Sequence, residues 1–173
     1  IWEQSLGPED ADVAKAQDSL AETYRSKGKF DKAEMLLRSS LTIRERTLGS
    51  EHPDVAASLN NLGVFYYGRR QYAMAEPHFQ RALVIWEKAF GAEHQNVVRS
   101  LRHLAEVYAA QDRYRDAIAS YQRVASIQER PLATDNPELA VTLKSWALLL
   151  RKVHQKSEAA ELEQRARAVG TKP

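Results

Sequence analysis

A displacement of 42 residues lays this chain on itself without a gap. The stretch from Gly7, "GPEDADVAKAQDSLAETY", superimposes on "GSEHPDVAASLNNLGVFY" from Gly49 and "GAEHQNVVRSLRHLAEVY" from Gly91, and a weaker copy, "ATDNPELAVTLKSWALLL", starts at Ala133. The later half of each copy also aligns. Phe30 meets Tyr72 and Tyr114, Ala33 meets Ala75, Ala117 and Ala159, and Ile43 meets Ile85 and Ile127. Self-similarity at this period means stacked supersecondary units rather than one closed core, because no single copy buries its own apolar face. The units are read as residues 7–48, 49–90 and 91–132, with 133–173 expected to be a degenerate fourth unit and C-terminal cap. Residues 1–6, whose "IWEQSL" matches "IWEKAF" at Ile85 to Phe90, are read as the end of a preceding unit.

Each unit contains two helices. Leu59, Leu62, Gly63 and Tyr66 fall at i, i+3, i+4 and i+7, one apolar stripe at helical spacing. Gly63 is matched by Ala21, Ala105 and Ala147, so a small residue is expected where the second helix approaches, with Ala75 as its small counterpart. Helix pairs are expected near residues 11–27 and 30–48, repeating every 42. The class is all-α.

Leu59, Leu62-Gly63, Tyr66, Ala75, Phe79 and Ala82 stand at the spacings of the tetratricopeptide repeat (TPR), and the 42-residue form with "LGSEHPDVAASLNNLG" resembles the kinesin-light-chain type. The resemblance covers nearly the whole chain. It implies a right-handed α-α solenoid of helix hairpins whose first helices line a concave groove. It also implies a function of reversible binding to a protein or peptide partner.

The second copy contains His52-Pro53-Asp54, the tripeptide by which J-domain co-chaperones are known. Sister copies hold Asp10-Ala11-Asp12, His94-Gln95-Asn96 and Asn136-Pro137-Glu138 in the same place, so the chemistry is not kept and the segment reads as a joint. Gly49 is expected to end the preceding helix in the left-handed conformation, Pro53 suits a first helical turn, and Asp54 favours a helix N-terminus.

Catalysis finds no support. The five histidines form no HExxH or comparable pair, and no phosphate-cradling loop, nucleophile elbow or dinucleotide fingerprint occurs. With no cysteine, thiol nucleophiles and Cys-ligated zinc are excluded. The chain is expected to be no enzyme and to need no metal or cofactor. Its net charge is +2; residues 1–90 carry 12 Lys/Arg against 13 Asp/Glu, and residues 91–173 carry 13 against 10. So mild a gradient argues against a nucleic-acid surface. No apolar run is long enough to span a bilayer, and a cytoplasmic, membrane-free protein is expected.

The groove is expected from the first helices, opposite the Leu59/Leu62/Tyr66 stripe. Asn60, Asn61, Val64 and Tyr67 form its second unit, with Asp18 and Glu22 before them. Arg99, Arg102, His103 and Glu106 form its third, and Val141, Lys144, Leu148 and Arg151 its fourth. Arg99, Arg102, Lys144 and Arg151 would converge and favour carboxylates, the asparagines would bond a peptide backbone, and Val64 and Tyr67 would take an apolar side chain. The resemblance implies an extended ligand with an aromatic anchor and acidic neighbours. Two alternatives stand beside this reading: self-association through an open N-terminal end, and a regulatory module of a larger protein with an upstream enzyme or NTPase.

Overall fold

The computed structural model describes residues 11–129 and 137–170, and no strand occurs among them. Among the described residues eight helices follow one another: α1 (Ala11–Ser26), α2 (Phe30–Leu48), α3 (Pro53–Gly68), α4 (Tyr72–Phe90), α5 (Gln95–Ala110), α6 (Tyr114–Gln128), α7 (Pro137–Lys152) and α8 (Lys156–Gly170). First helices begin at 11, 53, 95 and 137, and second helices at 30, 72, 114 and 156, so the 42-residue register of the sequence is the register of the fold. The reading of residues 1–6 as the end of an earlier unit, and the start of the fourth unit at residue 133, lie outside the described residues.

The helices form two bodies, Ile1–His94 and Gln95–Pro173. In the first, α1 packs on α2, α2 on α3 and α3 on α4; in the second, the same order joins α5 to α8. Each body is two helical hairpins with a stacking contact between them. In the second hairpin of the first body, Val55, Leu59, Leu62 and Tyr66 of α3 are buried, as are Ala75, Phe79, Ala82, Ile85 and Trp86 of α4. In the second body Leu139, Leu143, Ala147 and Leu150 of α7 share a core with Ala159, Leu162 and Ala166 of α8. Each large apolar side chain so removed from water contributes about 2 kcal/mol.

Gly63 is buried as expected, and the atoms nearest to a side chain there belong to Phe79 rather than Ala75. A Cβ on Gly63 would lie 2.6 Å from Cε1 of Phe79, so the missing side chain makes room for an aromatic ring.

The joint between the first two hairpins is a helix start. His52 is the N-cap, its Nδ1 accepts the Asp54 N–H at 3.1 Å, and Pro53 opens α3 where no N–H is needed. Gly49 has φ 87° as expected, yet ψ 154° takes it out of the left-handed helical well into an extended region open essentially to glycine alone; Gly91 does the same at φ 86°, ψ 162°. The left-handed residue sits instead at the turn inside each hairpin: Gly28 (φ 71°), Arg70 (59°), Asp112 (58°) and His154 (64°), again 42 apart.

Candidate functional site

In the first body, α1 and α3 border an open pocket of about 230 Å3 lined by Asp18, Ala21, Glu22, Arg25, Leu37, Asn61, Val64 and Phe65. Asn61 and Val64 therefore share one concavity with the acidic row of α1. The acids there are already engaged. Glu22 accepts from Arg25 at 2.7 Å, and that contact holds its carboxyl below the usual carboxylate range. Asp18 accepts from Arg44 of α2 at 2.7 Å.

Arg44 organises this end of the body. It is buried on α2, bonds Asp18 of α1 and Ser40 of its own helix at 3.2 Å, and donates to Ser58 of α3. A buried guanidinium needs such partners, because desolvating it without them costs several kcal/mol. A second cross-hairpin link runs through Tyr66, whose hydroxyl donates to Glu34 at 2.8 Å and accepts from Arg38 at 2.9 Å. Burial, foremost, pushes the Tyr66 hydroxyl above its ordinary pKa, so it stays a proton donor.

Two expectations about this part of the groove change. Asn60 is only 7% exposed and its Oδ1 has no hydrogen-bond partner, so it faces inward rather than toward a ligand. Asn60 lies one repeat on from Asp18, which Arg44 contacts, so in the first body these two positions lie at the seam between a hairpin's two helices. Tyr67 is half-buried with its ring 5.6 Å from that of Tyr72, across the turn into α4.

In the second body the expected basic cluster is spread over separate partners. Arg102 reaches Glu138 of α7 at 3.3 Å while its Nε is buried without a partner, and Glu138 also accepts from Gln128 at 3.4 Å. Arg99 bonds Asn96 at 2.9 Å, and His103 Nδ1 stands 3.6 Å from Glu106. Arg151 turns to α8, donating to both oxygens of Glu163 at 2.8 and 2.9 Å, and that contact keeps the Glu163 carboxyl below its ordinary pKa. Arg151 therefore does not converge with the others, because a carboxylate twelve residues along captures it. Lys144 remains exposed, with no ion pair to a described carboxylate. It stands between Val141 and Leu148, 56% and 65% exposed, on the α7 face opposite the buried Leu139, Leu143 and Leu150.

The features that sequence reasoning missed are the Arg44 network and the Glu34–Tyr66–Arg38 link. The first had a signal: arginine stands at 44 where the next copy has Trp86, an apolar seam position. The second joins different hairpins and had none in any single helix.

A family model for the tetratricopeptide repeat matches residues 1–46, 12–83, 54–130 and 103–172. Among solved structures, a Podosopora anserina protein described as kinesin light chain-like, with nearly identical TPR-like repeats, is similar at 28% identity and a TM-score of 0.84; the match covers 98% of this chain and 80% of that one. BtubC (BKLC) from P. vanneervenii is similar at 22% identity and a TM-score of 0.83, covering 92% of this chain and 64% of that one. Aspartyl phosphate phosphatase F from Bacillus subtilis shares the fold at 18% identity and a TM-score of 0.77, covering 92% of this chain and 40% of that one. The chain thus spans less than two thirds of the last two proteins. No curated protein matches it by sequence. No helix among the described residues is long and apolar enough to cross a membrane.

Proposed function

Because the chain belongs to the tetratricopeptide repeat family, whose α-α solenoids serve as protein-interaction scaffolds, we propose that its second body holds an extended acidic segment of a partner protein along the first helices α5 and α7. The observation that carries this reading is the row Val141, Lys144, Leu148. Spacings of three and four put these side chains on one face, and two large apolar groups left in water flank an unpaired ammonium. Burying the two apolar side chains under a ligand supplies affinity without direction, and a carboxylate on Lys144 supplies direction. Arg99 of α5 adds a second exposed positive charge. Arg102 and Arg151 contribute less, since each already holds a carboxylate. In the first body Asn61 and Val64 line a pocket whose wall carries Asp18 and Glu22, which suits a neutral or basic stretch of the same kind of ligand.

The test is to pan a peptide library against the wild-type chain and against Arg99→Glu/Lys144→Glu. Arg102 is left alone, because a glutamate there would confront Glu138 and disturb packing. Peptides selected on the wild type are expected to be enriched in Asp and Glu next to an apolar residue and to lose at least about tenfold in affinity on the variant. Equal binding to both proteins, or selected peptides without acidic residues, removes the proposal.

A further inference from the structure

We propose a second interaction surface at the hairpin turns of the first body, where Lys27, Lys29, Lys32, Arg69 and Arg70 form a seat for an acidic segment of a partner protein. It uses none of the residues of the helix-face reading above and stands or falls separately. The turns after α1 and after α3 border one open pocket of about 460 Å3, lined by Gly28, Lys29, Phe30, Asp31, Lys32 and Arg69. Lys27 and Arg70 flank it, and all five cationic side chains are exposed. Against five positive charges the pocket offers one acid, Asp31.

Four other cations of this body's surface have carboxylate partners: Arg25 has Glu22, Arg38 has Glu34, Arg81 has Glu45 and Lys88 has Glu51. The five at the turns have none among the described residues. Three are steadied instead by aromatic faces. The Nζ atoms of Lys29 and Lys32 lie 6.0 and 5.6 Å from the centre of the Tyr24 ring, and the Arg69 guanidinium lies 4.9 Å from the centre of Phe30 and 5.9 Å from that of Phe65. A ring holds a cation in place without neutralising it, so the charge stays available and part of the ordering cost of binding is already met. Phe30 is itself 40% exposed and gives the pocket an apolar floor.

Hairpin turns as such do not require this arrangement. In the second body the corresponding turn neutralises itself: Arg113 bonds Asp116 at 2.9 Å and Gln111 at 3.1 Å, and the place of Lys32 is taken by Asp116. The extent of the patch favours a peptide over a nucleic acid or a bilayer. It is two turns wide, with five exposed cations around the half-open ring of Phe30. A short segment with two or three carboxylates around one apolar residue matches that extent, whereas a duplex or a bilayer presents an anionic surface far wider than the patch.

The experiment titrates the whole chain into a fluorescein-labelled decapeptide of glutamates around a central leucine, read by anisotropy at low and moderate salt. A glutamine version of the peptide, a single-stranded oligonucleotide and phosphatidylserine vesicles serve as comparison probes. The acidic peptide is expected to bind, the glutamine peptide not to bind, and, in a chain whose helix-face site is already removed by Arg99→Glu/Lys144→Glu, Lys29→Gln/Lys32→Gln to weaken the acidic peptide about tenfold. Lys32→Met, the residue that the next hairpin carries as Met74, is the conservative second variant and should give a smaller loss in the same direction. Thermal melts of both variants check that the fold is kept. Absence of peptide binding, binding indifferent to both lysine variants, or an oligonucleotide or vesicle that binds more tightly and is the probe lost on substitution would overturn the proposal.

Discussion

Hairpins α1–α2 and α3–α4 share a register and a backbone path, and they are filled by opposite chemistry. Where the first has Arg44, Asp18 and Ser40, the second has Trp86, Asn60 and Ala82; where the first has Ala21, Leu37 and Leu36, the second has Gly63, Phe79 and His78. The first closes its seam with a buried ion pair that also reaches Ser58 of the next hairpin. The second closes with aromatic volume, Phe79 and Trp86 both being buried. One scaffold thus accepts a polar or an apolar seam, provided that all members of the set change together. Single substitutions should expose that condition.

The largest effect is expected from breaking the polar set. Arg44→Ala leaves Asp18 without its partner at a site where both side chains are largely buried, 10% and 16% exposed, and should cost about 3–5 kcal/mol in chemical denaturation. Importing the neighbour's set, Arg44→Trp with Asp18→Asn and Ser40→Ala, should recover at least half of that loss. No recovery would mean that the two seams are not alternatives.

The next effect tests the apolar set. Gly63→Leu puts atoms where the Phe79 ring already stands and should destabilise by about 3 kcal/mol through overpacking. Gly63→Ala combined with Phe79→Leu reproduces the Ala21/Leu37 pairing of the first hairpin and should be better tolerated in a thermal melt than Gly63→Ala alone.

The smallest effect is a slope. His78 stacks on Tyr66 with ring centres 5.5 Å apart, and burial, followed by the nearby charges of Arg38 and Arg81, pushes its imidazole below the ordinary value of 6.5. Glu34, bonded to the same Tyr66 hydroxyl, and Glu45, paired with Arg81, are the acids of this neighbourhood. The fold favours neutral His78, so the unfolded chain takes up its proton first. The stability from neutral His78 is complete above about pH 6.5 and declines as the pH falls from there toward the folded-state value. His78→Leu, the residue found at Leu36 and Leu162, should flatten that decline when stability is measured across pH 5–7.5. An unchanged slope would assign the acid sensitivity to another group.

The contrast between these hairpins also shows what could be read from the residues. Helix limits and the buried stripe were legible to within a residue or two, because spacing of apolar side chains fixes a helix face and the 42-residue displacement fixes the rest. The candidate groove was legible only in part. Asn61, Val64 and Lys144 lie where a helical wheel puts them. Asn60 does not, since a wheel treats every position off the apolar stripe as open and cannot see the second helix of the hairpin. Arg151 was misplaced for a related reason: its orientation is decided by Glu163 on the following helix.

The reciprocal fit of Gly63 and Phe79 has a bearing on how arrays of this kind can be cut and rejoined. The two residues sit on different helices of one hairpin, and the small side belongs to the first helix while the large side belongs to the second. Grafting α4 behind α1 would drive Phe79 against Ala21, and grafting α2 behind α3 would leave Leu37 over an empty patch at Gly63. A graft taken from one joint to the next carries both residues and disturbs neither. The inheritable piece is therefore the whole hairpin, and designers who lengthen or shuffle this scaffold should place their seams at Gly49 and Gly91 rather than at the tight turns within.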